Sequence, residues 1–205
     1  MRFIKVMRKR TATEPKARKT TGEAFAVLIL AAGEGTRMES QIPKVLHPVG
    51  GRPMLFHVLR AANALKPQAV GIVVGHNGDK VRSAVEQFVS ESAFLKPVSF
   101  IRQNRQHGSG HAVLQAASFL KRFGSVLILY GDAPLLTYET LQGLMHQHQA
   151  DKGQVTVLTA KISNPKGYGR IVRNPLGEIL KVVEENEGGP KELAITEVNS
   201  GVGVF

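Results

Sequence analysis

The stretch Leu30-Ala31-Ala32-Gly33-Glu34-Gly35-Thr36-Arg37-Met38, continued by Pro43-Lys44-Val45-Leu46-His47, decides how this chain is read. It follows an unbroken apolar run, Phe25 to Leu30, of the kind that fills a strand buried on both faces of a parallel sheet. That strand empties into a loop with two glycines, a threonine hydroxyl, an arginine and, after Pro43, a lysine. Glycines let backbone N–H groups approach a phosphate, and Arg37 and Lys44 supply positive charge against a polyphosphate. Open α/β sheets bind ligands at the carboxyl ends of their strands, so the loop is a nucleotide site. Leu30, Ala31, Ala32, Gly33, Gly35 and Thr36 are the contact residues expected there.

Two commoner glycine motifs are excluded by spelling. A dinucleotide fingerprint starting at Gly33 requires glycine at position 38, where Met38 stands. A Walker A loop requires Gly-Lys-Ser/Thr after four intervening residues, a string found nowhere in the chain. An ordinary strand-to-helix turn with two surface cations would not need so many specified positions.

Chain length agrees with roughly one α/β domain with a substantial core, since the sequence has 205 residues. No apolar run is long enough to span a bilayer, and none has the form of a signal-peptide core. With no cysteine, disulfides and thiolate metal sites are excluded by count, and the composition is compatible with the cytoplasm. The formal net charge of +11 is mostly one segment. Residues 1–20 hold eight Lys/Arg and one acid, leaving only +4 for the remainder. Residues 1–24 therefore read as a basic, disordered extension, with 25–205 the folded domain. No aromatic-basic interleaving points to a specific nucleic acid.

From Phe25 on, strand and helix patterns alternate. Strands are predicted at Phe25–Leu30, Ala69–Val74, Val98–Ile101 and Ser125–Tyr130. Helices are predicted from Pro53 to about Leu65, from Asp79 to about Val89, from Gly108 to Phe119, and from Thr137 to about Gln149. Strand-like runs at 154–160, 169–173, 178–183 and 195–205 follow without strong helices between them. The fold class is α/β: a doubly wound, Rossmann-like, mostly parallel sheet with a mixed β extension.

Two further clusters lie just after predicted strands. In Gln103-Asn104-Arg105-Gln106-His107-Gly108-Ser109-Gly110 a side-chain amide, both donor and acceptor, can read a nucleobase edge. The glycine turn behind it brings backbone donors close. In Tyr130-Gly131-Asp132-Ala133-Pro134 a carboxylate beside a space-clearing glycine has the chemistry of a Mg2+ ligand that shares its ion with phosphate oxygens. The seven histidines are scattered along the chain and read as polar packing or surface. No G-x-S-x-G nucleophile elbow occurs.

The run A-A-G-x-G-T-R-M followed by P-K resembles the signature of the sugar-phosphate nucleotidyltransferases. Its extension Lys44-Val45-Leu46-His47 resembles the uridylyltransferase half of the bacterial bifunctional enzymes that make UDP-N-acetylglucosamine. The resemblance runs from about residue 25 to the last residue and implies the nucleotidyltransferase type of the fold. It implies that Gln103, Gly108 and Ser109 bind uridine, with serine in place of the family's threonine at position 109. It further implies that Asp132 holds Mg2+, beside substrate contacts at Tyr130 and Gly131, and that Arg37 and Lys44 act on the phosphates. Gly167-Tyr168-Gly169-Arg170-Ile171 resembles the family's G-Y-G-R-I turn, Val183-Glu184 its V-E pair, and Glu197-Val198-Asn199-Ser200-Gly201 its E-x-N-[TS]-G run. These imply sugar contacts at Gly169, Glu184 and Asn199, with Glu185 facing solvent by strand alternation. The implied substrates are UTP and N-acetylglucosamine 1-phosphate, used for peptidoglycan and lipopolysaccharide precursors. The family pattern continues past Phe205 to an asparagine that is a second metal ligand, and then to a β-helix domain whose presence would make a trimer. Relatives that transfer other nucleotidyl groups, MobA-like enzymes among them, or an inactive nucleotide-binding module, are the alternatives.

Overall fold

The computed structural model describes residues 2–6, 24–33, 35, 38–92, 97–151 and 154–205. In chain order these form β1 (Arg2–Val6), β2 (Phe25–Ala31), β3 (Pro48–Val49), β4 (Arg52–Pro53), α1 (Met54–Ala64), β5 (Ala69–Val74), α2 (Gly78–Glu91), β6 (Val98–Arg102), α3 (Gly108–Gln115), α4 (Ala117–Leu120) and β7 (Ser125–Tyr130). They continue as α5 (Tyr138–Asp151), β8 (Val155–Lys161), β9 (Arg170–Arg173), β10 (Ile179–Val183), α6 (Pro190–Leu193) and β11 (Glu197–Val204). The chain divides into two compact units: Glu23–Gln142, and Met1–Gly22 together with Gly143–Phe205.

In the unit Glu23–Gln142, β2 pairs in parallel with β5 on one side and β7 on the other, and β5 pairs in parallel with β6. The spatial order is β6-β5-β2-β7, so the winding direction reverses between β2 and β7. That reversal opens a crevice at the carboxyl ends of those two strands. Both faces of β2 are covered, which is why its sequence is apolar without alternation. Ala26, Leu28 and Leu30 pack with Ala112 of α3, with Ala116 and with Phe119 of α4. On the other face Ala31, Val45 and Leu55 of α1 surround Gly131, where an added Cβ would stand 3.1–3.3 Å from all three. The doubly wound arrangement follows from this two-sided burial.

The predicted helix from Gly108 to Phe119 is broken in two. Ala116 leaves helical geometry at φ −86° and ψ 5°, and its N–H bonds the Val113 carbonyl at 3.0 Å, closing a tighter turn. The kink brings Phe119 onto the sheet beside Phe123, ring centroids 5.3 Å apart. At the start of α5, Thr137 Oγ1 accepts the Thr140 N–H at 3.3 Å, the cap expected there.

In the second unit the strands form a mixed β arrangement. β8 pairs antiparallel with β11 on one side and with β1 on the other. β9 pairs antiparallel with β10, and Val6 of β1 meets Ile179 of β10 in parallel register. This corrects the reading of residues 1–24 as disordered throughout, because Arg2–Val6 is a strand with five register partners on β8. Residues 7–23 of that segment lie outside the described residues. A second boundary, at Gln142/Gly143, also lies within the span read as one domain from 25 to 205.

Candidate nucleotide site

The crevice at the ends of β2 and β7 is a cavity of about 400 Å3, lined by Leu30, Ala32, Gly33, Lys44, Gln103, Gly108, Ser109, Tyr130 and Asp132. All nine were singled out in the sequence. Val45, Gln106 and Ala112 complete the lining. Every one belongs to the unit Glu23–Gln142.

Each wall has a local cause. β2 delivers Leu30 to the rim, and the Leu30 carbonyl accepts the Gly131 N–H at 2.9 Å, which fixes the turn carrying Asp132. Gly35 sits at φ +62°, a left-handed conformation that favours glycine, and a Cβ there would stand 2.6 Å from Lys44 Cβ. Gly35 therefore approaches Lys44 by the absence of a side chain. Pro43, at φ −50° and ψ 134°, precedes the 3-10 turn Lys44–Leu46, in which Val45 is buried. With its stem so anchored, Lys44 reaches across the cavity and donates from Nζ to Asp132 Oδ2 at 2.5 Å. Both side chains remain partly exposed, at 40% and 31%, so the pair stays within reach of a polyanion and a cation.

The Gln103 side chain is 4% exposed, and its Nε2 donates to the Gly108 carbonyl at 3.2 Å. Gln106 Nε2 donates to the Ala32 carbonyl at 2.7 Å, tying the loop after β6 to the end of β2. Sequence reading missed this clamp, because nothing in the run distinguishes Gln106 from the other polar residues around it. Ala31 packs near Gly131 and does not line the cavity; with Ala32, Gly75, His76 and Asn77 it borders a small neighbouring pocket. Thr36 and Arg37 lie outside the described residues.

Three histidines make polar contacts away from the cavity. His148 Nδ1 lies 3.0 Å from Thr156 Oγ1, His57 Nε2 lies 2.8 Å from the Val49 carbonyl, and His47 Nε2 lies 3.2 Å from the Ile42 carbonyl. Among the described residues no group of three His, Cys, Asp or Glu is placed to hold a metal. Among the described residues lining the cavity, Asp132 is the one carboxylate. That donor set fits Mg2+, which is commonly held by one or two carboxylates and completed by substrate phosphates and water.

The second unit brings Gly169, Glu184 and Asn199 together. The Asn199 N–H bonds the Gly169 carbonyl at 2.9 Å. A Cβ on Gly169 would meet Val182 Cγ1 at 2.8 Å and Glu184 Oε1 at 3.1 Å, so a side chain there would have to push these two aside. Asn199 Oδ1 accepts the Gly201 N–H at 3.0 Å, which leaves the amide nitrogen as the group to offer a ligand. Glu185 is a correction. It does not face solvent freely, because Oε2 accepts the Gly167 N–H at 2.8 Å and Oε1 pairs with the Arg170 guanidinium at 3.5 Å. Strand alternation failed because β10 ends at Val183, one residue before this pair.

Glu197, at the start of β11, is held by Arg173 through both oxygens, at 2.8 and 2.6 Å, and accepts from Thr159 Oγ1 at 2.7 Å. The Arg173 hydrogen bonds hold its carboxyl below the usual carboxylate range, against the burial that raises it. This network joins β8, β9 and β11 two residues before Asn199.

A glycine loop, a lysine and an aspartate at the switch point of a parallel sheet define a nucleotide-binding α/β unit of the nucleotidyl-transferring kind. The chain belongs to the MobA-like NTP transferase domain family, whose match covers residues 27–194. It is 45% identical over 175 residues to the "Bifunctional protein GlmU" of Methylococcus capsulatus, covering 85% of this chain and 36% of that protein. It is 48% identical over 181 residues to the protein of the same name from Corynebacterium diphtheriae, covering 88% of this chain and 37% of that protein. The chain thus spans a little over a third of the length of these curated relatives. In fold it is similar to a UDP-glucose pyrophosphorylase solved with UDP-glucose, with a TM-score of 0.69 at 20% identity over 88% of this chain and 75% of that one. Among the described residues no helix is long and apolar enough to cross a membrane.

Proposed function

We propose that the chain carries the uridylyl-transfer site that joins UTP and N-acetylglucosamine 1-phosphate into UDP-N-acetylglucosamine, releasing pyrophosphate. The observation that carries this reading is the Lys44–Asp132 pair facing Gln103 and the Gly108–Ser109 turn across one cavity. One wall offers charge to phosphates, the other an amide and backbone to a base. The high identity to the GlmU relatives supports the same reading.

A phosphate oxygen of the sugar phosphate attacks the α-phosphorus of UTP, and the bond from that phosphorus to the β-phosphate oxygen breaks in line. The attacking oxygen is already anionic near neutral pH, so no general base is required. Catalysis is positioning and charge stabilisation. Lys44 holds the reacting phosphates, and Arg37 the leaving pyrophosphate. The backbone of Leu30 to Gly33, with Ala31 and Ala32, Gly35, Thr36, Tyr130 and Gly131, encloses the nucleotide. Asp132 would hold Mg2+, which when bound supplies neutralising charge to the phosphate oxygens. Gly169, Glu184 and Asn199 take the sugar hydroxyls and amide. The product feeds peptidoglycan and lipopolysaccharide precursors, and the reaction runs in the cytoplasm. A longer chain with the relatives' remaining length carries the trimer expectation.

A pyrophosphate-release assay over UTP, CTP, GTP and dTTP, each with N-acetylglucosamine 1-phosphate and glucose 1-phosphate, tests the assignment. The expected result is release with UTP and N-acetylglucosamine 1-phosphate well above every other combination. Clear preference for CTP or GTP would overturn the uridylyl assignment.

A further inference from the structure

The buried amide of Gln103 is held in one orientation by two acceptors. Its Nε2 donates to the Gly108 carbonyl at 3.2 Å and to His111 Nδ1 at 3.0 Å. A primary amide has two N–H hydrogens, so both are used. The Gly108 oxygen can only accept, which forbids the flipped amide in which two oxygens would face each other. His111 Nδ1 then acts as the acceptor of this pair, in the tautomer that carries its hydrogen on Nε2. That nitrogen lies 3.2 Å from the exposed amide of Gln115, which is free to turn its oxygen toward it. The His107 ring stands edge-on to His111, with centroids 5.2 Å apart. Gln103 Oε1 has no hydrogen-bond partner among the described residues, and Gln103 lines the cavity.

We infer that His111 is a positioning residue that locks Gln103 as a pure acceptor, and that this polarity selects uracil over cytosine. The inference rests on the nucleotide reading of the cavity. Uracil carries an N–H at ring position N3, whereas cytosine carries a bare lone pair there. Against a fixed oxygen the first makes a hydrogen bond and the second sets two acceptors face to face. A site built to accept a ligand N–H discriminates strongly against an analogue that lacks it, because its own buried group is left unpaired. Without His111 the second amide hydrogen loses its partner and the amide is freer to turn its nitrogen to the base.

The test is direct titration of UTP and of CTP, with Mg2+, into the full chain and two variants. His111→Ala removes the acceptor at a helical position where alanine is favoured, so folding is not threatened. His111→Asn returns a side-chain oxygen close to the position of Nδ1. The wild-type chain is expected to bind UTP at least about tenfold more tightly than CTP, the scale of one hydrogen bond made or lost. His111→Ala should narrow that ratio by most of this factor, and His111→Asn should restore much of it. An unchanged ratio in His111→Ala, or an equal weakening of both nucleotides, would overturn the inference. Selective UTP binding without turnover of any sugar phosphate would sink the proposed function while sustaining this one.

Discussion

Asp132→Asn is expected to remove most metal-dependent turnover, and Lys44→Ala to lower kcat/KM by on the order of 10²-fold or more, while both variants stay folded. The second figure is the scale on which losing one preorganised charge-stabilising donor is felt. Each residue now holds the other at 2.5 Å, so neither is a free surface charge. Binding of a triphosphate with its cation must exchange this contact for two others, ammonium to phosphate and carboxylate to metal. Asparagine keeps the shape of Asp132 but removes the charge that makes it a ligand for a hard cation. Alanine at 44 removes the ammonium yet leaves the Pro43 turn and buried Val45 in place. Initial rates at saturating and limiting UTP, with thermal melts alongside, separate chemistry from folding. If both variants kept wild-type rates, the phosphate-site assignment would have to be abandoned.

Gly35→Ala should damage the site through a single added methyl. At φ +62° a side chain costs about 1–2 kcal/mol in left-handed backbone, and here the added carbon would also stand 2.6 Å from Lys44 Cβ. That contact is to the root of the lysine, where a side chain cannot swing aside. The loop or Lys44 must move, and a displacement near 1 Å can cost on the order of 10²-fold in rate. Gly50→Ala is the control, since Gly50 shares the positive φ, at +58°, but meets nothing within 4 Å. The expectation is a modest loss of melting temperature in both and a fall in kcat/KM of tenfold to 10²-fold, on that same positional scale, in Gly35→Ala alone. Equal rates in the two variants would mean that the Gly35–Lys44 approach does not set the site.

Much of the first unit was legible because its signals are local. The runs 69–74 and 125–130 are strands with the bounds their apolar character suggested, and the loops after them carry the cavity residues. What was not legible depends on pairing in space. The five residues of β1 were submerged in the basic average of the segment around them, and only β8 across from them makes them a strand. The break at Ala116 comes from seating Phe119 on the sheet, which periodicity cannot report. Gln106 and His111 belong to the site through contacts to Ala32 and Gln103, and their residue types alone suggested ordinary polar packing. Glu185, just past β10, accepts from Gly167, just before β9, so the contact exists only through the pairing of those two strands. Arg37 and Thr36, read from the motif, fall outside the described residues and rest on sequence.

The central claim is that this site breaks the bond between the α- and β-phosphates of UTP and hands the uridylyl group to a sugar phosphate. Following the label from UTP marked at the α- or at the γ-phosphate, with N-acetylglucosamine 1-phosphate and Mg2+, tests it most directly. The account predicts that the α-label leaves in UDP-N-acetylglucosamine and the γ-label in pyrophosphate, in equal amounts. An α-label recovered in UMP, or a γ-label recovered as orthophosphate without any pyrophosphate, would contradict it.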